Sequence, residues 1–185
     1  LIHWYQRGFT VNRIYGIACP LSLFFMIVVG CSTMTVIPEL ATLDKTPVLM
    51  KGQIEYDGNH LYLPRTISEG DPSEYGLRFR YATSETQDRS SWDVIALFNP
   101  LSILGFPTGR RNSTVTGNLE ILKDTEVVKS YQATCLQEAY RGIYYGASFS
   151  ELRRRGLAAV RDNIAAQMSR DREFIEKVTS KAFLP

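Results

Sequence analysis

The side chains in this chain that most readily do chemistry are three cysteines and two histidines. A nucleophilic thiol or hydroxyl needs a base beside it, and histidine commonly supplies that base. His60 is the one histidine after residue 31, and it belongs to no catalytic motif. Zinc needs several histidine or cysteine ligands, and His60 and Cys135 are too few. We therefore predict no catalytic residue, no metal and no cofactor, and we interpret Cys135 as a small core residue on a strand.

The neighbours of Cys31 set it apart from the other two cysteines. Residues 14–30 contain no charge, two arginines (Arg7 and Arg13) precede them, and the small residue Gly30 comes just before Cys31. A basic start, an apolar segment and a small residue at the end are typical of an export signal. The apolar segment is 17 residues long, which is at the lower limit for a membrane-spanning helix and favours a cleaved signal.

The residues Val28-Val29-Gly30-Cys31 resemble the lipobox of bacterial lipoproteins, in which an aliphatic residue, a small or aliphatic residue and Gly or Ala precede the cysteine. The resemblance implies that the Cys31 thiol carries a diacylglycerol, that residues 1–30 are removed and that the new amino terminus is acylated. Two or three acyl chains anchor a protein stably, because each buried methylene contributes about 0.8 kcal/mol. Ser32 resembles the residue that follows the cysteine in outer-membrane lipoproteins, so we expect a location facing the periplasm.

The charge of the chain after Cys31 argues against a nucleic-acid partner. Arg7 and Arg13 are the charged residues before Cys31, and the remainder carries 19 basic and 19 acidic side chains. A formally neutral domain lacks the electrostatic footprint of a nucleic-acid binder. The partners that we expect are the membrane, through the lipid anchor, and other envelope proteins.

Two stretches could form a surface for a protein partner. Residues 99–109 place apolar side chains among prolines and glycines, and an apolar loop of this kind either packs over the domain or meets a partner. The apolar side chains are Leu101, Ile103, Leu104 and Phe106. The run Arg153-Arg154-Arg155 could contact acidic lipid headgroups or an acidic partner, although a solvated helix face with nearby acids such as Glu151 is the simpler interpretation.

The sequence predicts three regions: a targeting segment at residues 1–30, a lipidated cysteine with a tether at 31–46, and a globular domain at 47–185. Residues 48–56 and 60–63 flank Asp57-Gly58-Asn59, which predicts a hairpin. Residues 65–74 and 83–89 are polar and predict surface loops. Residues 75–81 alternate between apolar side chains and Arg78 and Arg80, which predicts a strand with one face in solvent.

A second hairpin and a long helix complete the predicted domain. Residues 115–131 alternate around a turn at residues 123–126, and a further aromatic strand is expected near residues 140–146. Ser148 and Glu151 match a capping box at the start of a helix, and a break is expected near residues 169–171. The buried stripe of this helix comprises Leu152, Gly156, Val160, Ile164, Met168, Ile175 and Val178. Gly156 on that stripe predicts a close approach to the sheet.

The predicted fold class is α+β, with a mostly antiparallel sheet of about four to six strands and the long C-terminal helix packed on one face. The leading functional hypothesis is a non-enzymatic envelope lipoprotein that docks onto or assembles with other proteins. One alternative is a subunit that an uncleaved N-terminal helix holds in a larger membrane complex. Another is an anchored hydrolase of envelope polymers, which would require a cleft with paired carboxylates or His60 beside Ser or Asp.

Overall fold

One six-stranded sheet with two helices forms the part of the chain that the computed structural model describes, namely residues 32–40, 49–70, 75–88, 107–142 and 146–181. The strands are β1 (Ser32–Ile37), β2 (Met50–Glu55), β3 (Ile67–Glu69), β4 (Tyr75–Asp88), β5 (Gly109–Lys123) and β6 (Glu126–Arg141). The helices are α1 (Phe149–Arg170) and α2 (Arg172–Lys181). The predicted α+β class is therefore confirmed.

The sheet is mixed, with strand order β1-β6-β5-β4-β2-β3. The pairs β1–β6, β6–β5 and β5–β4 are antiparallel. Strand β2 pairs parallel with both β3 and β4. The predicted hairpin around residues 57–59 is wrong for this reason. After β2 the chain forms a 3-10 turn at His60–Tyr62, in which the Asn59 side chain accepts a hydrogen bond from the Leu61 N–H at 2.9 Å. The Asp-Gly-Asn sequence turns the chain but does not return it along β2.

The predicted loop at residues 65–74 contains strand β3 (Ile67–Glu69). Thr66 and Ile67 are buried at its start, and the Thr66 hydroxyl donates a hydrogen bond to the Met168 sulfur at 3.0 Å. A three-residue strand is too short for alternation to be visible in the sequence. Its parallel pairing with β2 is also non-local, so neighbouring residues give no signal of it.

The long strands β4, β5 and β6 form the centre of the sheet. The strand predicted at residues 75–81 continues to Asp88, so the loop expected at 83–89 is wrong. The second predicted hairpin is confirmed, and β6 runs on through Tyr140 to Arg141. The rest of the aromatic strand expected near residues 140–146 falls on residues 143–145, which lie outside the described ranges. The turn that connects β5 and β6 places Asp124 and Thr125 at φ 49° and φ 74°. Two positive φ values in succession are typical of the hairpin turn whose twist matches that of the strands.

The hydrophobic core lies between α1, α2 and one face of the sheet. Every residue of the stripe predicted for the helix is buried, and the break at Asp171 between α1 and α2 is confirmed. A Cβ atom on Gly156 would lie 2.7 Å from Val115 Cγ2 and 2.5 Å from Gln137 Nε2. Gly156 therefore permits the close approach of α1 to the sheet that its position in the sequence predicts.

Strand β1 corrects part of the tether predicted at residues 31–46, because residues 32–37 belong to the sheet, whereas residues 31 and 41–46 lie outside the described ranges. Ser32–Ile37 pairs with β6 along its whole length, from Ser32 opposite Ala139 to Ile37 opposite Thr134. The backbone groups on one side of β1 thus pair with β6, whereas a free tether would leave them to water. Residues 32–37 are therefore an edge strand of the sheet.

Several predictions fall on residues outside the described ranges. These are the targeting segment and Cys31, and the apolar side chains Leu101, Ile103, Leu104 and Phe106. Within the described ranges, neither helix is long and apolar enough to cross a bilayer.

Candidate functional site

The candidate site is the end of the domain at which β1 and α1 begin. Ser32 pairs with Ala139 near the end of β6, and β5 begins at Gly109 opposite Arg141. Ser32 and Thr33 line the same groove as Arg154 and Arg155 of α1. We call this region the arginine end, and its members are Arg110, Arg111, Arg141, Arg153, Arg154 and Arg155.

The start of α1 is fixed by Ser148, whose hydroxyl oxygen accepts a hydrogen bond from the Glu151 N–H at 3.1 Å. This confirms Ser148 as the N-cap. The Glu151 carboxylate accepts hydrogen bonds from Arg154 at 3.0 Å and from Arg155 at 2.7 Å. These bonds lower the pKa of Glu151 below its ordinary value. Both arginines are exposed, so the run forms the solvated helix face that the sequence favours.

The other arginines at this end bind groups on the strands. Arg153 donates from Nε and Nη2 to the Glu85 carboxylate of β4, at 3.0 and 2.8 Å. Arg110 donates to Glu138 across the β5–β6 pair at 3.1 Å. Arg111 donates to a backbone carbonyl just before α1, and its guanidinium lies 4.9 Å from the ring centroid of Phe149. Arg111 thus fastens the first turn of the helix to the sheet.

Next to the arginine end, β1 forms an exposed edge of the sheet. Five of its six residues are exposed, and the exposed fractions of Met34 and Ile37 are 55% and 52%. Because side chains alternate along a strand, Met34 lies on the helix side of the sheet and Ile37 on the opposite, open face. The other long edge of β1 has no neighbour among the described strands. Such an edge presents unpaired backbone groups that another strand can bind.

A groove of about 490 Å³ separates the helix side of β1 from α1. Its lining combines Met34 and small alanines with charged residues at the rim. The residues are Ser32, Thr33, Met34, Gln137, Leu152, Arg154, Arg155, Ala158, Ala159 and Asp162. An apolar floor with a few charged groups at the rim suits a protein segment whose side chains alternate between apolar and polar.

The face of the sheet opposite the helices is open and largely polar. Its side chains bind one another across the strands, as in the 3.2 Å contact between the Thr116 and Thr134 hydroxyls. Arg78 and Arg80 lie on this face, and both form ion pairs with Glu55, at 2.7 and 3.8 Å. The two arginines therefore occupy the solvated sheet face that their alternation predicts.

The structure also describes two other candidates for chemistry, Cys135 and His60. Burial raises the pKa of the Cys135 thiol, which lies in the core as predicted. His60 is exposed and meets the Tyr56 ring edge-on, with centroids 6.2 Å apart. Among the described residues, no group of three or more His, Cys, Asp or Glu side chains is placed to hold a metal ion.

The sequence predicts only part of this site. The run Arg153–Arg155 was identified, whereas Arg110, Arg141 and the edge strand β1 were not. The alternating β-branched residues of Ser32–Ile37 are a strand signal. The prolines that follow this stretch favour a tether instead, so the strand signal alone does not predict β1. Arg110 and Arg141 reach the site only through the β5–β6 register, which the sequence does not display.

No protein-family model matches the chain, and no curated protein matches it significantly.

Proposed function

We propose that this chain is a lipoprotein of the bacterial cell envelope, anchored through acyl chains on Cys31, and that its domain is a non-enzymatic docking or assembly component of an envelope protein complex. The observation that carries the proposal is the position of β1. This exposed edge strand begins at Ser32, immediately after the lipobox-like cysteine. Ser32 itself favours the periplasmic face of the outer membrane as the location.

Docking is assigned to β1 because it combines free backbone groups with accessible apolar side chains. An extended segment of a partner can add to such an edge as a further strand, with main-chain hydrogen bonds giving affinity and alternate side chains giving specificity. Met34 would contact a side chain of the incoming strand that points into the groove, and Ile37 would contact one that points to the open face. The partner of this proposal is therefore a protein that supplies a strand.

The lipid anchor can be tested by metabolic labelling with radioactive palmitate in a bacterial host. The chain should incorporate label, and Cys31→Ala should abolish it. Cys135→Ala is the matched control, because it removes a cysteine that is buried in the core, and it should retain the label. Equal labelling of the parent chain and Cys31→Ala would contradict the anchor.

Docking can be tested with a photo-crosslinking side chain at Thr35, which is exposed on β1, and at Ser84, which is exposed on the open face of β4. Thr35 should give a discrete adduct with another envelope protein, and Ser84 should not. The double substitution Met34→Asp and Ile37→Asp should remove the Thr35 adduct while the protein remains folded. An adduct that both positions share, or that survives the double substitution, would contradict docking at β1.

A further inference from the structure

Charge is distributed unevenly along the strands of the domain. Among the described residues, the arginine end has six basic residues, and the acidic residues at the same end are Glu85, Asp88, Glu138 and Glu151. At the opposite end, around the β5–β6 turn and the α1–α2 junction, basic and acidic residues balance. The basic residues there are Lys123, Lys129, Arg170 and Arg172, and the acidic residues are Asp124, Glu126, Asp171 and Glu173. A net positive charge is thus concentrated at one end of a domain that is formally neutral.

The backbone of α1 adds to this polarity. Helix α1 begins at Phe149, at the arginine end, and runs 22 residues towards the other end. Its peptide dipoles sum to a partial positive charge at the N-terminus. The arginine side chains and the helix dipole therefore both contribute positive potential at the arginine end.

The chain enters the domain at this same end. Ser32 is already paired with Ala139, so the first described residue after Cys31 belongs to the sheet. One extended residue spans about 3.3 Å, which is well inside the screening length of about 8 Å at physiological salt. A membrane anchor at residue 31 would therefore hold the arginine end within electrostatic reach of lipid headgroups.

We propose that the arginine end rests directly on the anionic headgroups of the bilayer and holds the domain with its strands upright. The inference rests on the proposed membrane attachment at residue 31. Its two supports are the charge asymmetry and the absence of free chain between residue 31 and β1. In this orientation β1 rises away from the bilayer, and its outer edge stays open to a partner strand. An acidic protein surface could also bind arginines, but it would not explain why the chain enters at this end.

The orientation can be measured on the protein extracted from membranes and reconstituted into vesicles of phosphatidylcholine with or without phosphatidylglycerol. Single cysteines are introduced at Ser150, at the arginine end, and at Glu126, at the opposite end, in a Cys19→Ala background. Each is labelled with a fluorophore, and nitroxide lipids in the bilayer report proximity by quenching. The parent without an introduced cysteine is the labelling control, since the Cys135 thiol is buried.

In vesicles with phosphatidylglycerol, the label at Ser150 should be quenched several-fold more than the label at Glu126. The double substitution Arg154→Gln and Arg155→Gln should remove most of this preference, because each basic residue near an anionic surface contributes about fivefold in binding, whereas Arg172→Gln, at the opposite end, should leave it unchanged. A protein that does not float with vesicles would overturn the membrane attachment and the orientation together. Flotation with equal quenching at both positions would overturn the orientation alone and leave the arginines available to an acidic protein.

Discussion

The side-chain amide of Asn163 donates a hydrogen bond to the backbone carbonyl of Pro38, at 2.8 Å. Asn163 lies on the buried face of α1, and Pro38 follows the last residue of β1. The Asn163 oxygen in turn accepts a hydrogen bond from Gln167, at 2.9 Å. This pair ties the edge strand to the long helix, so β1 is held by the core as well as by its pairing with β6.

Replacing Asn163 with Ala should release the end of β1. We expect the free energy of unfolding to fall by about 1–2 kcal/mol, because a buried hydrogen bond is lost. Hydrogen exchange of the β1 amides should accelerate more than exchange in β5. Asp162→Ala, at the exposed neighbouring position, is the control and should change stability by less than about 0.5 kcal/mol. Uniform acceleration over all strands would show that Asn163 has no specific role in holding β1.

The close approach of α1 to the sheet depends on Gly156. Gly156→Ala should lower the free energy of unfolding by about 1–2 kcal/mol, because overpacking against Val115 outweighs the better helix propensity of Ala. At Gly76 of β4 the atom nearest to an added Cβ is 3.7 Å away, so Gly76→Ala is the matched control without a clash. Denaturant unfolding measures the free energy of unfolding of both variants. A stabilised Gly156→Ala variant would mean that the helix can shift away at little cost.

The β5–β6 turn contains avoidable strain. Thr125 has φ 74°, a region that costs a residue with a Cβ about 1–2 kcal/mol. Thr125→Gly should therefore raise the free energy of unfolding by about 0.5–1 kcal/mol, after the greater entropy loss of glycine is subtracted. Thr116→Gly, in the regular part of β5, should lower it. If Thr125→Gly lowered stability in the same way, the positive φ at Thr125 would not be a source of strain.

The pH dependence of stability should contain a contribution from Glu151. Its hydrogen bonds with Arg154 and Arg155 lower its pKa from the ordinary value of 4.5. A lowered pKa in the folded state gives stability that is present above the unfolded-state pKa and is lost as pH falls through the folded-state pKa. The difference in Tm between the wild type and Glu151→Gln should therefore be largest near neutral pH and shrink below pH 4.5. A difference that is constant from pH 7 to pH 3 would contradict this account.

The parts of the fold that the sequence predicted are those with local signals. The alternation at residues 75–81 and 115–131 and the apolar stripe from Leu152 to Val178 identified strands and helices, because each pattern lies within one element. The parallel pairing of β2 with β3 and β4 joins segments whose contacts leave no local pattern, and the local turn signal at residues 57–59 instead predicts a hairpin that does not form. In the candidate site, Arg153 was visible as part of a run, but its partner Glu85 lies 68 residues away in the sequence.

The most direct test of the central claim is intact mass spectrometry of the protein extracted from membranes, with Cys31→Ala as control. The account predicts a mass that lacks residues 1–30 and carries about three acyl chains, consistent with stable anchoring by more than one chain, and loss of this modification in the variant. An unmodified mass that retains residues 14–30 would contradict the lipoprotein. The apolar segment would then have to be treated as a membrane-spanning helix of a subunit in a larger membrane complex.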